Sequence, residues 1–233
     1  LSSNGSITVS NTLTAAGAAT LNANSGITLA SSFTANGAVV LDADLDNNGT
    51  GDFTISSGSL STTNNALSVT ANGLVLTGTL SSGTAGTTIL ASQATSTIGL
   101  GASNCGGTCG LSLTSTELGK ITAGSLTIGD GSNGNITVEG VSSTDSDQFG
   151  LVTLNATASG SSVTFETTDS FFQGLTVNAA DAITISSNLT TLNLTLDGGT
   201  GGVIFGGNVT SSGNLSVISG GAITDTGVLT IAG

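Results

Sequence analysis

Apolar residues recur along the chain in triplets with a hydroxyl residue at the centre, and this alternation predicts short half-buried strands. The triplets are Ile7-Thr8-Val9, Ile27-Thr28-Leu29, Phe53-Thr54-Ile55, Leu67-Ser68-Val69, Leu111-Ser112-Leu113, Leu126-Thr127-Ile128, Ile136-Thr137-Val138, Val152-Thr153-Leu154, Val163-Thr164-Phe165, Leu175-Thr176-Val177, Ile183-Thr184-Ile185, Leu215-Ser216-Val217 and Leu229-Thr230-Ile231. A period of two puts the flanking residues on one face and the hydroxyl on the other. Clusters such as Ala35-Asn36-Gly37, Gly58-Ser59, Gly106-Gly107 and Gly198-Gly199 separate the triplets and suit tight turns.

Similar starts return roughly every 20 residues, the size of one solenoid coil of about three strands. Examples are Ser6-Ile7-Thr8-Val9, Gly26-Ile27-Thr28-Leu29, Asn135-Ile136-Thr137-Val138 and Ala182-Ile183-Thr184-Ile185. The pattern predicts an all-β parallel β-solenoid (β-helix) of about 10–11 coils, one domain over residues 1–233. One coil is lengthened near residues 42–52 and another near 101–110. At an inter-strand spacing of about 4.8 Å the rod would be on the order of 50 Å long. An antiparallel sandwich, the competing arrangement, would also show short alternating strands. It accounts less well for the coil-scale repeat and for the absence of Pro, Tyr and Trp.

Composition agrees with stacking. Of 233 residues 36 are Gly, 6% are charged, and Pro, Met, Trp, Tyr and His are absent. Lys120 is the single basic residue. Columns of charged side chains would repel one another, whereas Thr, Ser and Asn can bond to copies above and below, and Pro would delete a ladder donor. Without His or Arg, phosphoryl transfer and nucleic-acid binding are excluded as expectations. No apolar stretch is long enough to span a membrane as a helix. A net charge of −13 calls for cations or a basic surface as counterpart.

The segment Leu113-Thr114-Ser115-Thr116-Glu117-Leu118-Gly119-Lys120-Ile121, continued by Leu126-Thr127-Ile128-Gly129-Asp130 and Gly134-Asn135-Ile136-Thr137-Val138, resembles a recurring segment of large bacterial surface proteins related to filamentous haemagglutinin. The resemblance implies a long right-handed β-helix, exported to the bacterial cell surface or the extracellular space.

Four acids fall between Asp42 and Asp52. Asp44, Asp46, Asn48, Thr50 and Asp52 follow the spacing D-x-D-x-N-G-x-x-D of a calcium loop, with Thr50 offering its carbonyl and Gly49 the sharp turn. Asp42 is a further candidate ligand, so Ca²⁺ is the expected cofactor; the other reading is a solvated turn. Asp130 with Asn133 and Asn135, and Asp145 with Asp147, are weaker candidates. Cys105 and Cys109, the only cysteines, are expected to form a disulfide, because a zinc site would need two more soft ligands. Sequons at Asn135, Asn155, Asn188, Asn193, Asn208 and Asn214, and also at Asn4 and Asn48, are candidate glycosylation sites.

Taken together these features predict a non-enzymatic extracellular solenoid that builds a surface fibre, a filament or an adhesin stalk. It would associate head to tail with copies of itself or continue a longer solenoid. The alternative is a binding module whose outward Thr ladders, at Thr8, Thr28, Thr54, Thr164 and Thr184, face ice, a host or matrix glycan, or a neighbouring fibre.

Overall fold

The computed structural model describes residues 1–102, 105 and 109–232. All 13 triplets lie within strands. Every pairing between described strands is parallel, and each joins segments distant in sequence, as stacked circuits of one winding chain require. This is consistent with a parallel β-solenoid.

Among the described residues four sheets make up the walls. The long sheet begins at Ser2–Ser3 and runs through Ala19–Ala23, Val39–Asp42, Leu67–Ala71, Gly86–Ala91, Ser125–Ile128, Leu151–Ala156, Ser170–Ala179 and Leu189–Gly198. Beyond these it divides into Val209–Ser211, paired in turn with Leu229–Ile231, and Leu215–Ser219. A second sheet holds Ile7–Val9, Ile27–Leu29, Asp52–Ile55 and Gly73–Leu76. A third holds Leu13–Ala15, Phe33–Ala35, Ser59–Ser61, Thr79–Ser81 and Ile121–Thr122. The fourth stacks Leu111–Thr114, Ile98–Gly101, Ile136–Glu139, Val163–Phe165, Ala182–Ile185, Gly202–Phe205 and Ile223–Asp225 in that spatial order.

Because neighbouring strands are parallel and in register, inward residues form columns. On the long sheet one column reads Leu21, Leu41, Val69, Ile89, Ile128, Leu154, Val177, Leu196 and Val217. All but Val217 are buried. Branched aliphatic side chains stacked at strand spacing fill a narrow interior without gaps, which is why the core needs little aromatic volume. Five of the seven phenylalanines, Phe33, Phe53, Phe149, Phe165 and Phe172, are among the largest fully buried side chains.

The distance along the chain between stacked partners varies. It is 20 residues for Leu21↔Leu41, 28 for Leu41↔Val69 and 39 for Ile89↔Ile128. Two places absorb the excess. The segment between Asp42 and Asp52 forms a loop whose tip, residues 45–48, is exposed while Ala43 and Asp44 at its base are buried. After Ile98–Gly101 the chain returns and lays Leu111–Thr114 as an extra parallel strand beside it, with Leu111 under Ile98 and Leu113 under Leu100.

Among the described residues two single-turn α-helices also enter, α1 (Ser115–Leu118) and α2 (Ser143–Ser146). At α1 the Glu117 amide donates to Thr114 Oγ1 at 3.3 Å and the Thr114 amide donates to Glu117 Oε2 at 2.9 Å, a capping box. At α2 the Ser142 amide and hydroxyl both donate to Asp145 Oδ2. Leu118 points inward from α1.

Candidate functional site

Outward positions are columns too. The longest, on the long sheet, reads Thr20, Val40, Ser68, Thr88, Thr127, Thr153, Thr176, Thr195 and Ser216. From Ser68 to Ser216 every member carries a hydroxyl. The column beside it carries Asn155, Asn178 and Asp197 in successive layers, and Asn178 Nδ2 donates to Asn155 Oδ1 at 2.7 Å. A seven-layer hydroxyl strip flanked by two amides and the Asp197 carboxylate is a polar surface that can donate and accept along its length.

The five threonines read as outward ladders making up one face stand on two walls. Thr8, Thr28 and Thr54 are consecutive members of a column on the second sheet. Thr164 and Thr184 are neighbours on the fourth, where Ile204 follows them. The strip on the long sheet escaped the sequence reading because its members are 19 to 39 residues apart, as Thr176↔Thr195 and Thr88↔Thr127 show. Its members Ser68, Thr127, Thr153, Thr176 and Ser216 were nonetheless visible as triplet centres.

Turns carry a second kind of ladder. Asp169 Oδ1 accepts the Asn188 amide at 3.1 Å, Asn188 Oδ1 accepts the Asn208 amide at 3.2 Å, and Asn208 Oδ1 accepts the Val228 amide at 3.0 Å. Each turn side chain thus supplies an acceptor for a backbone N–H in the next layer, where no strand partner exists. The same device links Asn193 to the Asn214 amide at 3.0 Å and Asn135 to the Ser162 amide at 3.0 Å. Of the candidate sequon residues, Asn135, Asn188, Asn193, Asn208 and Asn214 are exposed and Asn155 is half-buried. Asn188 Nδ2, the atom a glycan would use, donates to Asp169 Oδ2 at 3.0 Å.

The acidic loop closes on its own groups. Asp44 is buried, with Oδ1 accepting the Asn48 amide at 3.1 Å and Oδ2 accepting the Gly49 amide at 2.9 Å and the Ser92 hydroxyl at 2.6 Å. Gly49 has φ +79, a conformation other residues rarely take. Asp46 Oδ2 accepts from Asn48 Nδ2 at 2.9 Å, the Thr50 hydroxyl donates to Asn48 Oδ1, and Asp52 Oδ1 accepts from Asn72 Nδ2 at 3.3 Å. Asp52 therefore turns toward the next coil. Asp42 Oδ1 accepts the Asp44 amide at 3.2 Å; burial, reinforced by the nearby Asp44 charge, pushes its carboxyl above the usual range against the lowering effect of that amide. Among the described residues no three Asp, Glu, His or Cys groups stand together in a metal-holding cluster. Beside the loop lies an open groove of about 520 Å³ lined by Asn47, Ser92, Gln93, Ala94 and Ser132.

Of the weaker candidates, Asp130 Oδ1 accepts the Ser132 amide at 2.7 Å and the Asn133 amide at 3.1 Å, forming a turn, and Asp145 caps α2. Cys105 and Cys109 form a disulfide with their Cα atoms 5.0 Å apart. The glycines between them lie outside the described residues.

Lys120 has a structural post that composition alone did not disclose. Its Nζ donates to Leu76 O at 2.7 Å and Thr77 O at 2.9 Å. Glu117 Oε1 accepts the Leu76 amide at 3.4 Å. Leu76 ends the last strand of the second sheet, so an ammonium and a carboxylate from α1 and its exit take up backbone groups at that sheet's open edge.

No family model matches this chain, and neither a curated protein nor a solved structure is significantly similar to it.

Proposed function

We propose that this protein is an extracellular structural β-solenoid, a length of surface fibre or adhesin stalk on a bacterial cell, without enzymatic activity. The observation carrying this reading is the unbroken parallel register of the long sheet, from Ser2–Ser3 to Leu215–Ser219. In such a stack each layer is held by a full set of inter-strand bonds and by columnar packing, so the object resists bending and can be lengthened by adding layers. On this reading the winding is right-handed, with ten to eleven coils of roughly 20 residues, and the rod is lengthened either by head-to-tail association of copies or as part of a longer solenoid. The sequence resemblance to filamentous-haemagglutinin-like proteins supports export to the cell surface, and the disulfide is compatible with an oxidising compartment. Ca²⁺ binding by Asp44, Asp46, Asn48, Thr50 and Asp52 would add stiffness at the longest loop. Small-angle scattering tests the reading: a rod on the order of 50 Å long is expected, and a compact sphere would overturn it.

The hydroxyl strip from Ser68 to Ser216 favours a second reading, a binding face for glycan, ice or a neighbouring rod. Replacing Thr127, Thr153 and Thr176 with Val would abolish such binding in a glycan-array or thermal-hysteresis assay while leaving the rod intact.

A further inference from the structure

The strands within residues 111–122 are paired on one side only. Among the described residues Leu111–Thr114 is an end strand of the fourth sheet, paired with Ile98–Gly101, and Ile121–Thr122 is an end strand of the third, paired with Thr79–Ser81. Between them stands α1. Leu111, Leu113, Leu118 and Ile121 are buried, and the Lys120 carbonyl accepts the Leu80 amide at 3.0 Å, so the stretch is closed in the folded protein. An edge segment of this kind nevertheless opens at lower cost than the whole fold. It carries the one basic residue of the chain. The disulfide bears on the same stretch. Ile98 and Leu100 are inward, so the register sets Gly99 on the outer face between Ser112 and Thr137. Gly99 is buried all the same, and the Thr137 hydroxyl donates to Cys105 Sγ at 3.2 Å. Cys105 therefore rests on the outside of the wall to which Leu111–Thr114 is attached, and Cys109, its disulfide partner, lies two residues before Leu111.

We propose that the Lys120–Ile121 bond is a processing site for a trypsin-like protease, shut by the Cys105–Cys109 disulfide and opened when a dithiol reductant removes it. A protease takes its substrate as an extended strand, so the residues on both sides of Lys120 must leave their walls before the bond is cut. Opening frees the chain back to Gly101. While the disulfide stands, the freed chain carries a ring closed between residues 4 apart in sequence and gains fewer conformations for it. Closing a ring of this size lowers the open population about thirtyfold. On reduction the dithiol supplies two electrons and two protons: the Cys105–Cys109 S–S bond breaks to two thiols, and the dithiol becomes a disulfide. Hydrolysis then adds one water across the Lys120–Ile121 bond, leaving a carboxylate on Lys120 and an amine on Ile121. The sequence holds no other Lys or Arg, so a protease of this specificity divides the chain once. The disulfide thus decides whether the one cut is made.

Trypsin digestion of the 233-residue chain at neutral pH, read by intact mass, tests this. Oxidised wild type is compared with wild type reduced by dithiothreitol and freed of reductant before digestion, and with the double variant Cys105→Ser, Cys109→Ser. The reduced protein and the double variant should be cut at Lys120 about thirtyfold faster than the oxidised protein. Thr70→Lys, made in wild type and in the double variant, separates local from global opening. Thr70 faces outward from Leu67–Ala71, a strand paired on both sides. The introduced lysine should stay uncut in both backgrounds. The proposal is overturned if oxidised and disulfide-free proteins are cut at Lys120 at rates within about threefold of each other, or if loss of the disulfide speeds cleavage at the introduced lysine as much as at Lys120.

Discussion

Asp44 is the residue at which a structural role and a metal-binding role can be separated by experiment. Its carboxylate is fully buried and accepts two backbone amides and one hydroxyl, from Asn48, Gly49 and Ser92. A hydrogen bond to a charged group contributes about 1.5–3 kcal/mol, so three give about 4.5–9 kcal/mol if they add. Water can reach Asn48, which is exposed, and an Asn side chain at position 44 keeps one acceptor oxygen. Asp44→Asn should therefore lose about 2–3 kcal/mol of stability, and Asp44→Ala about 3–4 kcal/mol. Urea denaturation followed by far-ultraviolet circular dichroism suits a chain without Trp or Tyr. The decisive condition is excess chelator, because the hydrogen bonds act with or without a metal. If Asp44→Asn matches wild type within about 0.5 kcal/mol under chelation, the loop is not held by Asp44 and the reasoning fails. Added Ca²⁺ should then raise wild-type stability with the logarithm of its concentration above the dissociation constant, as linkage requires. Asp46→Asn should reduce that increment without changing the chelated baseline.

Three further outcomes follow from the geometry. Burial raises the Asp42 carboxyl above its ordinary value, so the folded state holds this proton more tightly than the unfolded chain; its contribution opposes folding at neutral pH and is relieved as pH falls through the raised value toward the ordinary one. Asp42→Asn should accordingly raise the melting temperature at neutral pH, by an amount that shrinks in acid, and an unchanged melting temperature at neutral pH would refute this. Phe165→Ala empties a fully buried position and should cost about 3–5 kcal/mol in the same denaturation assay. Trypsin should leave the native protein intact, since Lys120 is the only basic residue and its ammonium is held by two carbonyls, while the urea-unfolded chain should yield two fragments.

The strands were legible because period-two alternation is a local signal, and all 13 triplets are strand residues. Which wall each strand joins was not legible at the same level. That depends on accumulated loop length, and partners 20, 28 or 39 residues apart defeat a fixed period. The two helical turns left a trace that alternation conceals: Thr114 with Glu117 and Ser142 with Asp145 both have the spacing of a capping box. The disulfide was readable from a pair of cysteines with no competing ligands. The hydrogen bonds of Asp44 were not, because one comes from Ser92, 48 residues away. Composition showed that Lys120 was singular, but only the broken second sheet shows what it does.

The unequal offsets between stacked layers have a further consequence. Register here is enforced across layers, so a segment inserted at a turn displaces nothing above or below it. Leu41 still stacks on Val69 although eight more residues separate them than separate Leu21 from Leu41. An entire additional strand, Leu111–Thr114, enters the fourth sheet while the long sheet proceeds directly from Ile89 to Ile128. The scaffold thus accommodates different lengths of chain at its turns. A segment inserted at the exposed tip, residues 45–47, would be displayed at a fixed height along the wall, with the buried Ala43 and Asp44 at its base left in place.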